Sequence, residues 1–306
     1  KNFEKAVDSL FIKNNCDVYI TGSNAYFMSG ELATVLSGRY VEIQMLPLSF
    51  REFNLGLDEQ YGNLSLKEKF NLYVNYGSFP FITKYNNFTD DSKDYLQGIF
   101  DTILNKDIAR RLNIADTVSL ENVTKFLLHS IGNKISPTKI ANTLKSAGKS
   151  VDQKTVDKYI KGLVDSMLIY EAGRYNIKGK QFLSTQSKYY VVDVGMRNAL
   201  VKSSESDIGH ILENIVYLEL KRRYKNVYVG EIDSGEVDFV SVNDNKYEYY
   251  QVSATTLDEN TLKRELAPFG KIKDNYPKYL LTLDDVFSNA DYNGVQKINV
   301  LEWLLK

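Results

Sequence analysis

Three strand patterns in immediate succession, NVYVGE, GEVDFVSV and YEYYQVS, occupy residues 226–253 and constrain this chain more than any other feature. Valine and tyrosine recurring at a period of two need a sheet to pair with. A helical pattern precedes them (GHILENIVYLELKRR, 209–223). A second helix (ENTLKRELAPFGKI, 259–272) and a fourth strand (KYLLTL, 278–283) follow. The stretch from 201 to 306 therefore reads as α/β.

Upstream, from 119 to 200, the pattern is helical. SLENVTKFLLHSIG is amphipathic and begins at Ser119. SPTKIANTLKSAG has Ser136 as N-cap, Pro137 in the first helical position and Gly148 at its end. DQKTVDKYIKGLVDSM starts from Asp152 and leads into LIYEAGRYN, the arm of a hairpin. Helix, turn, helix and β-arm follow the order of a winged helix-turn-helix. Between Lys134 and Lys161 there are seven lysines against Asp152 and Asp157, a local charge of +5 in a chain of net charge −1. A nucleic-acid surface on this chain has to be such a local patch. Lys139, Lys145, Lys149, Lys154 and Lys158 are the candidates for phosphate contact, and Gln153 for base reading, with double-stranded DNA as the expected partner.

The first 118 residues read differently again. DVYITGS and RYVEIQML are strand patterns flanking a short helix (SGELATVL). Beyond PLSFREF the pattern is helical to about residue 112, broken by YGSFP at 76–80. Two strands are too few for an independent sheet, which predicts exposed apolar edges and self-association. No apolar run approaches membrane-spanning length. With a single cysteine (Cys16) no disulfide forms within the chain, so a reducing cytoplasm is expected. His129 and His210 are far apart and have no zinc-site spacing. A literal Gly148-Lys149-Ser150 follows a helix and has Thr143 where a phosphate loop needs glycine, so it is no P-loop.

The run VYITGSNAYFMSGELATVLSGRYVEIQMLPLSFREF, then YGSFP, DTILNKDIARR, KYYVVDVGMRNAL, GHILENIVYLEL and GEVDFV, resembles the AAA-like ATPases that carry a C-terminal domain of unknown function. The resemblance covers essentially the whole chain. It implies that Walker A and Walker B precede the position of Lys1, so that the chain looks like an N-terminally truncated member. It places Ser23 or Asn24 at the sensor position and Arg39 at the arginine-finger position. ATP and Mg belong to the full-length relatives. This chain alone is expected to bind neither tightly and to have no ATPase activity.

Glu213 on a helix, Asp238 on a strand and Gln251 on the next strand resemble the PD-(D/E)xK nuclease order. That site uses acidic ligands for Mg²⁺ and a lysine to position water. Here Gln251 stands at the third acid and Ser253 at the lysine, with Lys263 or Arg264 as the candidates to replace it. The expected architecture is mixed α/β and multidomain. An ATPase-core remnant (1–54), a helical lid-like segment (55–118), a winged helix (119–200) and a nuclease-like domain (201–306) succeed one another. The expected function is the DNA-associated effector half of an ATPase. The alternatives are a winged-helix module binding DNA or protein beside a degenerate nuclease-like domain, and a metal-dependent nuclease.

Overall fold

A computed structural model describes residues 3–13, 15–22, 38–58, 61–84, 88–202, 204, 207–233, 235–243 and 246–306. Small polar side chains start its helices, as their spacing requires. Ser65 and Glu68 form a reciprocal capping box on helix Leu66–Tyr76. Ser136 caps Pro137–Ser146, Asp152 caps Gln153–Asp165, and Asp258 caps Glu259–Leu266. Helix Thr117–His129 begins earlier than SLENV suggests. Asp116 is its cap and accepts from the Ser119 amide, so Ser119 lies inside the first turn. Pro268 separates Glu259–Leu266 from a 3₁₀ turn at Phe269–Lys271, which shortens the helix expected over 259–272.

The described strands make one nine-stranded sheet in the order β1-β3-β2-β4-β5-β6-β7-β9-β8. They are β1 (Lys134–Ile135), β2 (Ile169–Asn176), β3 (Gln181–Val191), β4 (Val227–Ile232), β5 (Gly235–Asn243), β6 (Lys246–Ser253), β7 (Lys278–Thr282), β8 (Asp291–Tyr292) and β9 (Val295–Asn299). The three strands legible at 226–253 form an antiparallel meander, and β7 adds to β6 in parallel. β2 pairs with β4 in parallel, Arg174 opposite Val229. This pairing joins the sheet of segment 119–200 to that of segment 201–306, so a boundary at residue 200 falls inside a continuous sheet. Helix Ile208–Arg223 lies in the larger apolar core, which runs from Phe50 to Leu304. The opposite face holds a smaller core around Tyr175, Val237, Tyr249 and Phe269.

The YGSFP turn is bolted to the chain beyond β3. Buried Asp193 accepts from the Ser78 amide at 2.6 Å and from its hydroxyl at 2.8 Å, and caps helix Val194–Leu200 through Met196 at 2.7 Å. Gly195 packs so closely that a Cβ there would lie 2.1 Å from the Gly77 nitrogen. The 47–53 segment is fixed nearby. Tyr73 donates to the Leu48 carbonyl, and Arg222, at the end of helix Ile208–Arg223, donates to that of Pro47.

Residues 17–22 and 40–46, expected as strands, are not in a sheet. Strands need neighbours, and none of the described residues pairs with them. Tyr19 and Val41 are nearly 90% exposed (87% and 88%), which agrees with the expected apolar exposure. The helix expected over SGELATVL lies outside the described residues.

Candidate functional site

A β-bulge prepares the main cleft. Between the pairs Ala172–Lys188 and Arg174–Leu183, β3 carries extra residues, with Gln186 at φ +56°. Such an insertion re-aims the side chains beside it. Lys188 and Tyr190, two apart on β3 and so on one face, both reach Glu213 Oε1, at 2.9 and 2.6 Å. The Lys188 ammonium also lies 3.0 Å from Glu236 Oε1 and 3.7 Å from Asp238 Oδ1. One buried cation thus stands among three carboxylates, from a helix and from β5.

The cluster floors a cleft of about 1000 Å³ that is also lined by His210, Gln251, Ser253 and Arg264. The structure therefore brings together Glu213, Asp238 and Gln251, the three residues expected from sequence. Asp238 Oδ2 accepts from the Val252 amide at 2.9 Å. Gln251 is turned into the protein: Oε1 accepts weakly from the Asp238 amide, and Nε2 donates to Glu265 at 2.8 Å.

Lys263 and Arg264, the candidates to replace the lysine, both pair with acids of their own helix. Lys263 pairs with Glu259 on the exposed helix surface, and Arg264 pairs with Glu265 at the cleft rim. The ammonium that does stand beside these acids is that of Lys188, which sequence order did not suggest because β3 precedes residue 201. Its signal was a lone lysine heading the apolar strand KYYVV.

Burial pushes the Asp238 carboxyl up, the negative charge of Glu213 adds to this, and Lys188 only partly opposes it, so Asp238 ends at about 8. Burial also pushes Glu213 and Glu236 up, but in both the Lys188 ammonium and hydrogen bonds outweigh it, and both lie below the ordinary carboxylate range. The same carboxylates overcome the burial penalty on Lys188 and hold it charged. A second cation, Lys134 of β1, bridges Glu236 at 2.8 Å and Glu231 at 3.2 Å, and Arg174 pairs with Glu231 at 2.7 Å.

Mg²⁺ at Glu213 and Asp238 would require these donors to face a shared cation position. They instead converge on an ammonium, and Gln251 is engaged by the Asp238 amide and the Glu265 carboxylate. Among the described residues no group of three or more His, Cys, Asp or Glu side chains is arranged to hold a metal ion.

The lysines of segment 134–161 lie on a different surface. Lys139, Lys145, Lys149, Lys154 and Lys158 are all exposed on helices Pro137–Ser146 and Gln153–Asp165 or the turn between them. Lys149 donates to Asn122 at 2.6 Å and Lys158 to the Leu112 carbonyl at 3.0 Å. Gln153 accepts from Thr138 at 3.0 Å and so braces the two helices. Gly148, at φ +76°, ends a helix. A phosphate loop needs the start of one, so Gly148-Lys149-Ser150 does not fit ATP. Ser23 and Asn24 lie outside the described residues. Arg39 pairs with Asp8 at 2.9 Å and lies over the Phe11 ring.

Residues 1–54 match the AAA domain family, and residues 67–207 match a family described as a domain of unknown function, DUF8612. An uncharacterized protein of Haemophilus influenzae is 39% identical over 306 residues, spanning 100% of this chain and 75% of the relative. An uncharacterized protein of Methanocaldococcus jannaschii is 32% identical over 299 residues, and the match covers 93% of this chain but only 65% of that protein. No solved structure matches the chain. No helix among the described residues is long and apolar enough to cross a membrane.

Proposed function

The chain belongs to the family of the Haemophilus influenzae protein, with an AAA-like segment at residues 1–54, and from this premise we propose that it is the DNA-binding effector part of such an AAA-domain protein. The observation that carries this reading is the succession of helix Thr117–His129, β1, helices Pro137–Ser146 and Gln153–Asp165, and the β2–β3 hairpin, with β1 paired to β3. That is winged-helix order, and the exposed lysine row sits on its second and third helices. Helix Gln153–Asp165 enters the major groove of duplex DNA, and the lysines neutralise phosphates.

In the α/β segment that follows, the order helix, three-strand meander, helix and parallel strand supports a nuclease-like reading. Its cleft binds and does not cut. Lys188 supplies internally the positive charge that hydrolysis would take from a metal ion, and Gln251 and Ser253 replace an acid and a lysine. ATP hydrolysis in the longer relatives would move this effector part on DNA.

Fluorescence anisotropy of a labelled duplex across a salt series tests the reading. Each lysine–phosphate contact contributes about 0.9 to the log–log salt slope. Lys149→Glu with Lys154→Glu should therefore lower the slope by about 2 and weaken binding at every salt concentration. An unchanged slope would overturn the DNA-binding assignment. DNA cleavage in Mg²⁺ or Mn²⁺ that disappears with Asp238→Ala would replace the binding cleft with a metal-dependent nuclease.

A further inference from the structure

On the sheet face opposite helix Ile208–Arg223, aromatic rings follow one another across the strands. Phe182 of β3 packs on Tyr175 of β2 (ring centroids 5.5 Å apart) and on Tyr228 of β4 (5.1 Å). Tyr175 in turn stacks on Tyr228 and on Tyr247 of β6, each at 6.0 Å. Helix Glu259–Leu266 and the Phe269–Lys271 turn cover one end of this face. The end at β3 is open, and Phe182 is 67% exposed.

Beside it lies a groove of about 660 Å³ with Ile177, Ile232 and Ile272 among its lining residues and Lys178, Lys271 and Lys273 along it. Lys180 lies on the aromatic side, its amine 5.8 Å from the Tyr247 ring centroid. Asp233 and Asp274 also line the groove. Three lysines against two aspartates give the groove +1, with Lys178 paired to Asp233 at 2.9 Å, and Lys180 adds a positive charge beside it.

We propose that this open aromatic face is a binding surface for single-stranded nucleic acid, separate from the duplex-binding lysines of the two helices. The chemistry selects that ligand. An exposed ring already backed by other rings offers a rigid platform on which an unstacked base can lie, and each such stacking contact accounts for about fivefold or more in affinity. Lysines along an adjoining groove track the phosphates of the same strand. A duplex keeps its base faces covered and cannot use Phe182.

A labelled twelve-residue oligothymidine, titrated by fluorescence anisotropy at low salt, tests this. Phe182→Ala should weaken binding by about fivefold or more, Phe182→Tyr should retain it, and Lys180→Glu should weaken it and lower the salt slope. The exposure of Phe182 makes these variants compatible with folding, which circular dichroism checks. Phe182→Ala should leave duplex binding unchanged, while Lys149→Glu with Lys154→Glu should leave oligothymidine binding unchanged. The proposal is overturned if the oligomer does not bind, if Phe182→Ala binds it as well as the parent, or if duplex and oligomer affinities fall together in every variant. Loss of the winged-helix reading would alter only the duplex arm.

Discussion

Replacing Lys188 by methionine removes the cation from the cleft cluster while nearly preserving its length and bulk. The side chain is only 4% exposed, and its ammonium is the shared partner of Glu213, Glu236 and Asp238. Removing one partner of a buried ion cluster costs about 3–5 kcal/mol, because the charges left behind have no counter-ion. That is a large share of a typical folding stability of about 5–15 kcal/mol. With a urea slope of about 3 kcal/mol/M, the unfolding midpoint should fall by about 1–1.7 M. Trp303, buried and the only tryptophan, offers a fluorescence probe.

The deficit should depend on pH in a defined direction. In the parent, Glu213 and Glu236 are held below the ordinary carboxylate range, so the stability they contribute is fully present above that range and is lost as pH falls below it through their lowered values. Without Lys188, burial drives both upward, and holding them ionised becomes costly. Lys188→Met should therefore lose more stability at pH 8 than at pH 5. Adding Glu213→Gln should recover part of the loss at pH 8. A variant within about 0.5 kcal/mol of the parent at pH 8, or one with the same deficit at both pH values, would refute the view that this ammonium neutralises the cluster.

Asp238→Asn probes the opposite shift. Asp238 keeps its proton in the folded chain up to about pH 8, whereas the unfolded chain releases it near the ordinary value of 3.8. The parent thus loses folding stability through Asp238 as pH rises between those limits, so Asp238→Asn should gain relative to it from pH 5 to 8 in paired urea titrations. A flat difference would exclude the raised carboxyl. At the YGSFP turn, Gly195→Ala would place a methyl group 2.1 Å from the Gly77 nitrogen, and backbone on both sides leaves little room to yield. Thermal unfolding should show a loss of about 1–3 kcal/mol or more, and an unchanged melting temperature would mean that the two glycines are not in contact.

Much of this arrangement was legible because it rests on local chemistry. Ser136, Pro137 and Asp152 mark helix starts through their own side chains, and the period-two patterns at 226–253 mark strands without help from distant residues. Glu213 and Asp238 were placed by the order of elements around them, and they do meet. Lys188 was not found because its position depends on two non-local events, the bulge that turns β3 and the parallel pairing of β2 with β4. Neither leaves a mark in the residue types of either segment alone. The strand patterns at 17–22 and 40–46 show the converse. Their composition favours extended structure, but a ladder needs a partner, and a stretch of chain cannot announce whether one is present. Lys263 and Arg264 were reasonable by sequence distance, yet both lie on helix Glu259–Leu266, whose cations pair with its own acids.

The parallel pairing of β2 with β4 also bears on how the chain folds and how it could be divided. The two strands are separated by β3 and two helices, so their contact closes a long loop and forms late relative to the local helix-turn-helix. Once formed, it leaves neither half self-sufficient. A cut after residue 200 would strip β4 of its neighbour and leave an unpaired strand edge, and it would carry Lys188 away from the acids it neutralises. The halves on either side of that cut should therefore unfold in one cooperative transition. Exchanging either of them for an unrelated module would disturb both.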